Sequence, residues 1–315
     1  AILGCWMLKI GGKWESPDNN SSPVKSFVWD KGNIQYTNVK DDNYLYDIND
    51  HGQAVGRVHD LSGDPVFKIE NGIVNIYHST PSASTTGYEI GANNSGNIFL
   101  TNGNEISYVY DGSSWQEYGF EIAAINNNGQ MGGTRVVRNE NGSGFYRAGV
   151  YDNNNFSDIS DYSMANDIND HGHVVGISKG NAFLFDGLDI HDLGTLSGSS
   201  RSQSNANAVN NIGQVVGESW DTGPTPRAFL WEANEIYDLN TLIANEHDFT
   251  QLVAAYDIND NGWIVGYGYV NDDHGWFTEK DARAFVAIPT PIPGAIWLFG
   301  AGLIGLARFR NVLKK

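Results

Sequence analysis

The chain has 315 residues, a formal net charge of −18 and charged residues at only 18%. A body that acidic repels phosphate backbones, which excludes nucleic acid as a partner. The single cysteine, Cys5, excludes an intrachain disulfide framework, and the 37 glycines among many Asn residues suit short strands joined by turns.

The first residues, Ala1-Ile-Leu-Gly-Cys5, superficially resemble the end of a lipoprotein signal, but no basic start or long apolar region precedes them. Cys5–Ile10 reads instead as a strand inside a repeat, so an export signal is expected upstream of residue 1. Two patterns then alternate along residues 20–288. One is strand, tight turn, strand: Ser26-Phe-Val-Trp-Asp-Lys-Gly-Asn-Ile34, Val66-Phe-Lys-Ile-Glu-Asn-Gly-Ile73, Ala182-Phe-Leu-Phe-Asp-Gly-Leu188 and Ala228-Phe-Leu-Trp-Glu-Ala-Asn-Glu-Ile236. The other is an apolar residue, Asn, Asp or Asn, any residue and Gly, followed by an apolar pair. It appears as Asp47-Ile-Asn-Asp-His-Gly-Gln-Ala-Val-Gly56, Asp167-Ile-Asn-Asp-His-Gly-His-Val-Val-Gly176, Ala208-Val-Asn-Asn-Ile-Gly-Gln-Val-Val-Gly217 and Asp257-Ile-Asn-Asp-Asn-Gly-Trp-Ile-Val-Gly266. Decayed copies stand at Ala92–Gly96 and Ile125–Gly133.

Asn, Asp and Gly tolerate the positive φ of tight hairpins, and the flanking Ile and Val are strand formers. The turn glycines are Gly52, Gly96, Gly129, Gly172, Gly213 and Gly262. Two hairpins in roughly every 40 residues make a four-stranded sheet, and sheets repeated at that period predict a β-propeller. The fold class expected is all-β, with six to seven blades. Units at residues 5–39 and 256–288 are incomplete and either close the ring together or stand as separate units, and seven is the favoured count.

Asp257, Asn259 and Asn261 with Gly262 match the first half of an oxygen-rich calcium loop, which makes calcium the one cation candidate. The position that should supply the bidentate Glu is Gly268, and the copies at 47 and 167 carry His51 and His171, poor ligands for a hard cation. A hairpin turn accounts for every copy without metal, and no other cofactor is expected. His171 and His173 share a strand face without a third ligand nearby in sequence. No nucleophile-elbow serine occurs, Ser197–Ser200 reads as a linker, and no catalytic residue can be named. Trp29, Phe185 and Trp231 occupy equivalent strand positions and are expected in the core. Trp115, Trp220, Trp263 and Trp276 fall near turns or long loops, where an aromatic packs half-buried or offers its face to a sugar.

The chain ends with Ile288-Pro-Thr-Pro-Ile-Pro-Gly294, an apolar stretch, and Arg308-Phe-Arg310-Asn-Val-Leu-Lys314-Lys315. Gly294–Ala307 carries no charge and reaches roughly 21 Å as a helix, short of the ~30 Å hydrocarbon core. Bilayer thinning and snorkelling basic residues let such segments insert. The organisation is therefore a propeller over 1–288, a Pro-rich linker over 289–293 and a C-terminal transmembrane sorting tail over 294–315. Arg308, Arg310, Lys314 and Lys315 would stop transfer and hold the C-terminus on the cytoplasmic side.

Two resemblances follow from these motifs. The repeats resemble the HAF-type extracellular repeat family, which pairs an Ile-Asn-Asp-x-Gly-x-Val-Val-Gly turn with a His-Ala-Phe-Leu-Trp strand. Asp192-Leu-Gly-Thr-Leu-Ser-Gly198 matches its usual linker, while the family's His is replaced by Asn181, Arg227 and Arg283. This resemblance implies a fold and an extracellular address. The tail resembles the PEP-CTERM sorting signal of Gram-negative bacteria, on Pro291, Ile292, Pro293, Gly294 and Ala295, the apolar run and the basic end. Ile292 stands where that signal has Glu. This resemblance implies an exosortase-type protease as a partner, processing near Pro291–Gly294, and delivery to the cell surface or to exopolysaccharide. The function expected is a binding or matrix role in the envelope. The alternative is a hydrolase or lyase acting on extracellular polysaccharide at the propeller channel.

If the turns are hairpins without metal, chelation with EDTA should leave the melting temperature nearly unchanged. A large EDTA-induced loss that Asp257→Ala abolishes would require an ion at that turn.

Overall fold

The computed structural model describes residues 27–30, 33–36, 42–59, 65–70, 73–77, 89–102, 105–221, 225–243, 248–270 and 282–289. Its first two strands, β1 (Phe27–Asp30) and β2 (Asn33–Tyr36), pair only with each other among the described residues. The remaining strands form six antiparallel sheets in chain order. The first blade is β3 (Asp42–Ile48), β4 (Ala54–His59), β5 (Val66–Glu70) and β6 (Ile73–Tyr77). The second is β7 (Glu89–Ala92), β8 (Ile98–Thr101), β9 (Ser107–Tyr110) and β10 (Trp115–Tyr118). The third is β11 (Glu121–Ile125), β12 (Met131–Arg138), β13 (Gly144–Asp152) and β14 (Asn155–Asp161). The fourth is β15 (Ser163–Ile168), β16 (Val174–Ser178), β17 (Asn181–Phe185) and β18 (Ile190–Gly194). The fifth is β19 (Gln203–Val209), β20 (Val215–Trp220), β21 (Arg227–Glu232) and β22 (Glu235–Asp238). The sixth has three described strands, β23 (Phe249–Ile258), β24 (Ile264–Val270) and β25 (Ala282–Ala287). One helical turn, α1 (Leu239–Leu242), capped by Asp238, is the sole helix among the described residues.

The fold is a six-bladed β-propeller, and the favoured count of seven is corrected to six. The hairpin at Asp257–Gly266 is the first hairpin of the sixth blade, completed by β25, rather than a unit standing apart. Among the described strands, none from the first blade pairs with one from the last. Strands of the first and sixth blades both line one central cavity.

Between blades lie apolar layers. Leu184, Val209, Val215 and Phe229 join blades four and five, and Leu230, Leu252, Ile258 and Phe285 join five and six. Each fully buried Phe contributes on the order of 2–3 kcal/mol. Gly217, opposite Phe229 on the neighbouring strand, shows why the apolar pair is followed by glycine. A Cβ there would meet the Asn205 carbonyl oxygen at 1.9 Å and the Phe229 ring at 2.9 Å. Trp231 and Phe185 pack half-buried against these layers.

The repeated turns are built on Asn. Asn49, Asn126, Asn169 and Asn259 each accept through Oδ1 from the backbone N–H groups two and four residues on, at 2.9–3.1 Å. The turn glycines take the left-handed conformation, with φ of +73° at Gly52, +81° at Gly129, +78° at Gly172, +85° at Gly213 and +74° at Gly262. The Asn and Asp beside them keep negative φ. Their value to the turn is the side-chain acceptor, not tolerance of positive φ. Positive φ at consecutive residues occurs in outer hairpins instead, at Asn153-Asn154 and Ala233-Asn234.

The same Asn residues tie the blades together. Asn49 Nδ2 donates to the Asn93 carbonyl at 2.8 Å, Asn93 to Asn126 at 3.0 Å, Asn126 to Asn169 at 2.9 Å, Asn169 to Asn210 at 2.9 Å and Asn210 to Asn259 at 3.0 Å. A second belt runs through the next residue. The N–H of Asp50, Asn94, Asn127, Asp170 and Asn211 donates to the side-chain oxygen of Asn94, Asn127, Asp170, Asn211 and Asp260 in turn. Buried hydroxyls add further ties between blades: Ser107 accepts from Ile122 N, Ser163 from Ala148 N and Ser204 from Ala182 N.

Three substitutions separate these roles. Asn169→Ala strips partners from His171 N, His173 N and the Asn210 carbonyl, and should cost about 2–3 kcal/mol in urea unfolding. Gly172→Val forces a branched residue into the left-handed region at about 1–2 kcal/mol or more. Asn127→Ala, which removes the exposed side-chain bonds to Asn94 N and Asp170, should cost under about 1 kcal/mol.

Candidate functional site

The first strands of all six blades surround a central cavity of about 930 Å³. Five of them carry a β-bulge just before the turn. The strand register shifts between Leu45 and Asp47, Ile122 and Ala124, Ala165 and Asp167, Ala206 and Ala208, and Ala255 and Asp257. A bulge breaks the strict alternation of faces. Both the extra residue and its successor therefore line the channel, as Tyr46-Asp47, Ala123-Ala124, Asn166-Asp167, Asn207-Ala208 and Tyr256-Asp257. Turn residues barely vary around the ring, whereas the bulge residues do, and the bulges set the chemistry of the wall.

Asp47 and Asp167 are structural staples. Asp47 accepts from its own Ile48 N at 2.7 Å and from Ala92 N of the next blade at 2.9 Å. Asp167 does the same with Ile168 N at 2.8 Å and Val209 N at 2.9 Å. The next blade carries Gly91 or Ala208 at the equivalent position, so its N–H is open to the neighbour's carboxylate. Asp257 faces a different neighbour. The equivalent N–H in the first blade, Ile48 N, is already held by Asp47. Among the described contacts, Asp257 accepts from Ile258 N at 2.7 Å, through Oδ1, and its second oxygen is left to the channel.

Burial pushes all three carboxyls up, Asp167 to about 6 and Asp257 to about 7. At Asp257 repulsion from Asp167 and Asp47 adds to the effect of burial. Asp257 is open to channel water, but the surrounding blades displace bulk solvent, which is what disfavours its charge.

One wall, between blades four and six, is a chain of amides. Asn166 Nδ2 donates to Asn205 Oδ1 at 2.8 Å, Asn205 Nδ2 to Asn207 Oδ1 at 2.9 Å and Asn207 Nδ2 to the Ala255 carbonyl at 2.8 Å. The carboxyl of Glu218 is raised by burial, against hydrogen bonds from Asn205 and Asn207 that lower it. Beside it Tyr256 stacks on Tyr267, with ring centres 5.8 Å apart and planes at 19°. Burial pushes the Tyr267 hydroxyl up to about 12, with Tyr256, Tyr269 and Glu218 adding to the shift. Tyr256 is half exposed, at 51%.

The calcium candidates do not converge. Asn259 spends Oδ1 on its own turn and Asp257 faces the channel. Among the described residues no group of three or more His, Cys, Asp or Glu side chains could hold a metal ion. His51 Nδ1 lies 2.9 Å from the Asn94 carbonyl, so it serves the belt. The rings of His171 and His173 lie 5.7 Å apart, and His173 approaches Asn169 Nδ2 at 3.5 Å. Trp115 packs against Tyr110, Trp220 is partly exposed, and Trp276 lies outside the described residues. So do Cys5, Trp29's side chain, the sorting residues Pro291, Ile292, Pro293 and Gly294, the basic residues Arg308, Arg310, Lys314 and Lys315, and with them the proposed transmembrane helix. Among the described residues no helix is long and apolar enough to cross a membrane. Of the bulge residues the sequence singled out Asp257, as a calcium candidate, and not its channel-facing neighbours, although Asn166-Asp167 and Tyr256-Asp257, non-aliphatic pairs between Ala and Ile, carry the signal.

No protein-family model and no curated protein matches the chain. Solved structures do. The β-propeller domain of the trilobed protease from Pyrococcus furiosus, described as having an open velcro topology, aligns with a TM-score of 0.61 and 10% identity over 86% of each chain. Acylaminoacyl peptidase in complex with Z-Gly-Gly-Phe-chloromethyl ketone aligns at a TM-score of 0.55 with 10% identity, over 87% of this chain and 49% of that one. The acylaminoacyl peptidase of Pyrococcus horikoshii aligns at 0.53 with 10% identity and the same coverage. The chain thus spans about half the length of those peptidases, and the likeness shows the fold: a β-propeller.

Raised carboxyl pKa values mean that the folded chain holds protons which the unfolded chain has released. This contribution to stability is therefore greatest below the ordinary carboxyl value of 3.8 and is lost as pH rises to about 7. Asp111, held at about 2, acts below that window. His173, lowered by burial, opposes the trend beneath 6.5. Asp257→Asn should raise Tm at about pH 8 and flatten the decline from about pH 5 relative to wild type. Parallel melting curves for the two proteins across that range would overturn this assignment.

Proposed function

We propose that the chain is an exported propeller that binds extracellular polysaccharide in its channel, as a surface or matrix protein rather than an enzyme. The observation that carries this reading is how the channel groups are used. Asp47 and Asp167 are committed to backbone N–H groups of two blades, whereas the amide chain and Tyr256 present hydrogen-bonding groups and an aromatic face side by side. That pairing suits a sugar, whose apolar ring face stacks while its hydroxyls exchange hydrogen bonds.

Asp257 favours one second reading, polysaccharide hydrolysis. Its second oxygen faces the channel and its carboxyl keeps a proton near neutrality, as a general acid must. A glycosidase also needs a second carboxylate, and the other two bulge aspartates, Asp47 and Asp167, are already tied to the backbone.

The C-terminal motif supports the address. Gly294–Ala307 would hold the chain in the membrane, Arg308, Arg310, Lys314 and Lys315 would stop transfer, and Pro289, Pro291 and Pro293 would disfavour helix in the preceding segment, as an exosortase-type protease requires. The setting is the envelope of a Gram-negative bacterium.

Two measurements test the proposal. On a polysaccharide array the protein should retain at least one glycan without releasing new reducing ends, and Tyr256→Ala should abolish retention. Release of reducing ends that Asp257→Asn abolishes would establish the enzyme instead. Mass spectrometry of the surface protein should find a C-terminus near Pro291–Gly294, and an intact Lys315 would make the tail a permanent anchor.

A further inference from the structure

Resting on the polysaccharide reading, we propose that the channel selects glycans carrying free primary ammonium groups, with an amino-sugar unit stacked on Tyr256 and its ammonium against Asp257. The first argument is charge. The described channel lining holds Asp47, Glu89, Asp167 and Asp257 against one basic residue, Arg283, whose guanidinium donates to the Ala282 carbonyl at 2.8 Å. A low-dielectric cavity focuses such a field, which repels acidic glycans and leaves a neutral one without a counter-charge to offer.

The second argument is spacing. The four carboxylates sit on four different blades, and among the described residues no three acidic or imidazole groups form a cluster that could hold a metal ion. A field that is strong but spread over a 930 Å³ cavity fits an extended organic cation better than a compact ion.

The third argument is the aromatic surface. Tyr256 offers a half-exposed ring backed by Tyr267 and adjoins Asp257 in sequence, both facing the channel because of the bulge. Tyrosine faces attract ammonium groups as well as sugar ring faces. Asp257 is also the one of the three bulge-associated aspartates whose second oxygen is not committed to a neighbouring blade's N–H among the described contacts. The amides of Asn205 and Asn207 stand nearby for the hydroxyls.

The test is calorimetric titration of the full chain, in mild detergent at about pH 7.5 and low salt, where Asp257 has released most of its proton and a primary amine still largely keeps its own. The probes are a glucosamine oligomer, its N-acetylated counterpart and spermidine. The glucosamine oligomer should bind at least about tenfold more tightly than the acetylated one, the value of one desolvated charge contact. Its affinity should fall as salt is added, a readout that needs no variant. Asp257→Asn, with its fold checked by circular dichroism, should remove the preference while leaving weak binding of the acetylated oligomer, and Tyr256→Ala should weaken both. Equal affinity for the two oligomers overturns the cationic selection and leaves the polysaccharide reading standing. Binding of neither overturns the cationic selection, and the polysaccharide reading then falls only if the array also retains no glycan. Spermidine binding as tightly as the glucosamine oligomer overturns the sugar component.

Discussion

The side-chain amide of one asparagine per blade holds this propeller together. Its oxygen closes the turn that carries it, and its nitrogen reaches the carbonyl of the same asparagine in the next blade. Turn and ring are therefore one hydrogen-bonded unit, and neither glutamine nor aspartate can replace it. Glutamine adds a methylene that moves both ends, and aspartate has no donor for the neighbour. Five such links run from Asn49 to Asn259, and the sixth position, from Asn259 back to Asn49, has no corresponding bond among the described contacts. Among the described residues, this seam between the first and last blades therefore has neither the asparagine link nor a shared strand.

That seam has a chemical consequence. Aspartates that staple one blade to the next work only where the following blade has a small residue in the equivalent place. Asp47 is followed by Gly91 and Asp167 by Ala208, and both carboxylates are used in full. Asp257 is followed, across the seam, by Asp47, which already holds the N–H it would need. The mismatch leaves a carboxylate oxygen facing the channel beside Tyr256, on a wall that also carries the amide chain of blades four and five. An uncommitted carboxylate oxygen thus arises where the structural repeat falls out of step with itself.

Bulges make the channel chemically richer than regular strands would. Alternation would send one of each residue pair, such as Asn166 and Asp167, into the sheet-to-sheet layer. The extra residue turns both inward, and the N–H group freed from the ladder is available to a carboxylate. The same kink brings the Asn205 carbonyl against Gly217, which is why a residue without Cβ follows each apolar pair. Structural economy at the glycine and variety at the bulge are two sides of one distortion.

Much of the architecture was legible from local pattern. The spacing of the Asn-x-x-Gly turns, the branched residues beside them and the alternating Phe-rich strands determined an all-β propeller, because turn chemistry and strand propensity act over a few residues. The apolar run and basic end of the tail are likewise local, and they remain a statement about sequence. Blade number was not legible, since residues 256–288 had to be recognised as one blade by the pairing of β24 with β25, and pairing is non-local. Nor was the role of the repeated Asn-Asp pair, which resembled half a cation loop in isolation. Its partners sit one blade away, some 40 residues along the chain in the typical case. The tertiary structure alone decided that Asp47 and Asp167 are staples while Asp257 faces an open channel, because hydrogen-bond supply depends on which residue the neighbouring blade places opposite each carboxylate.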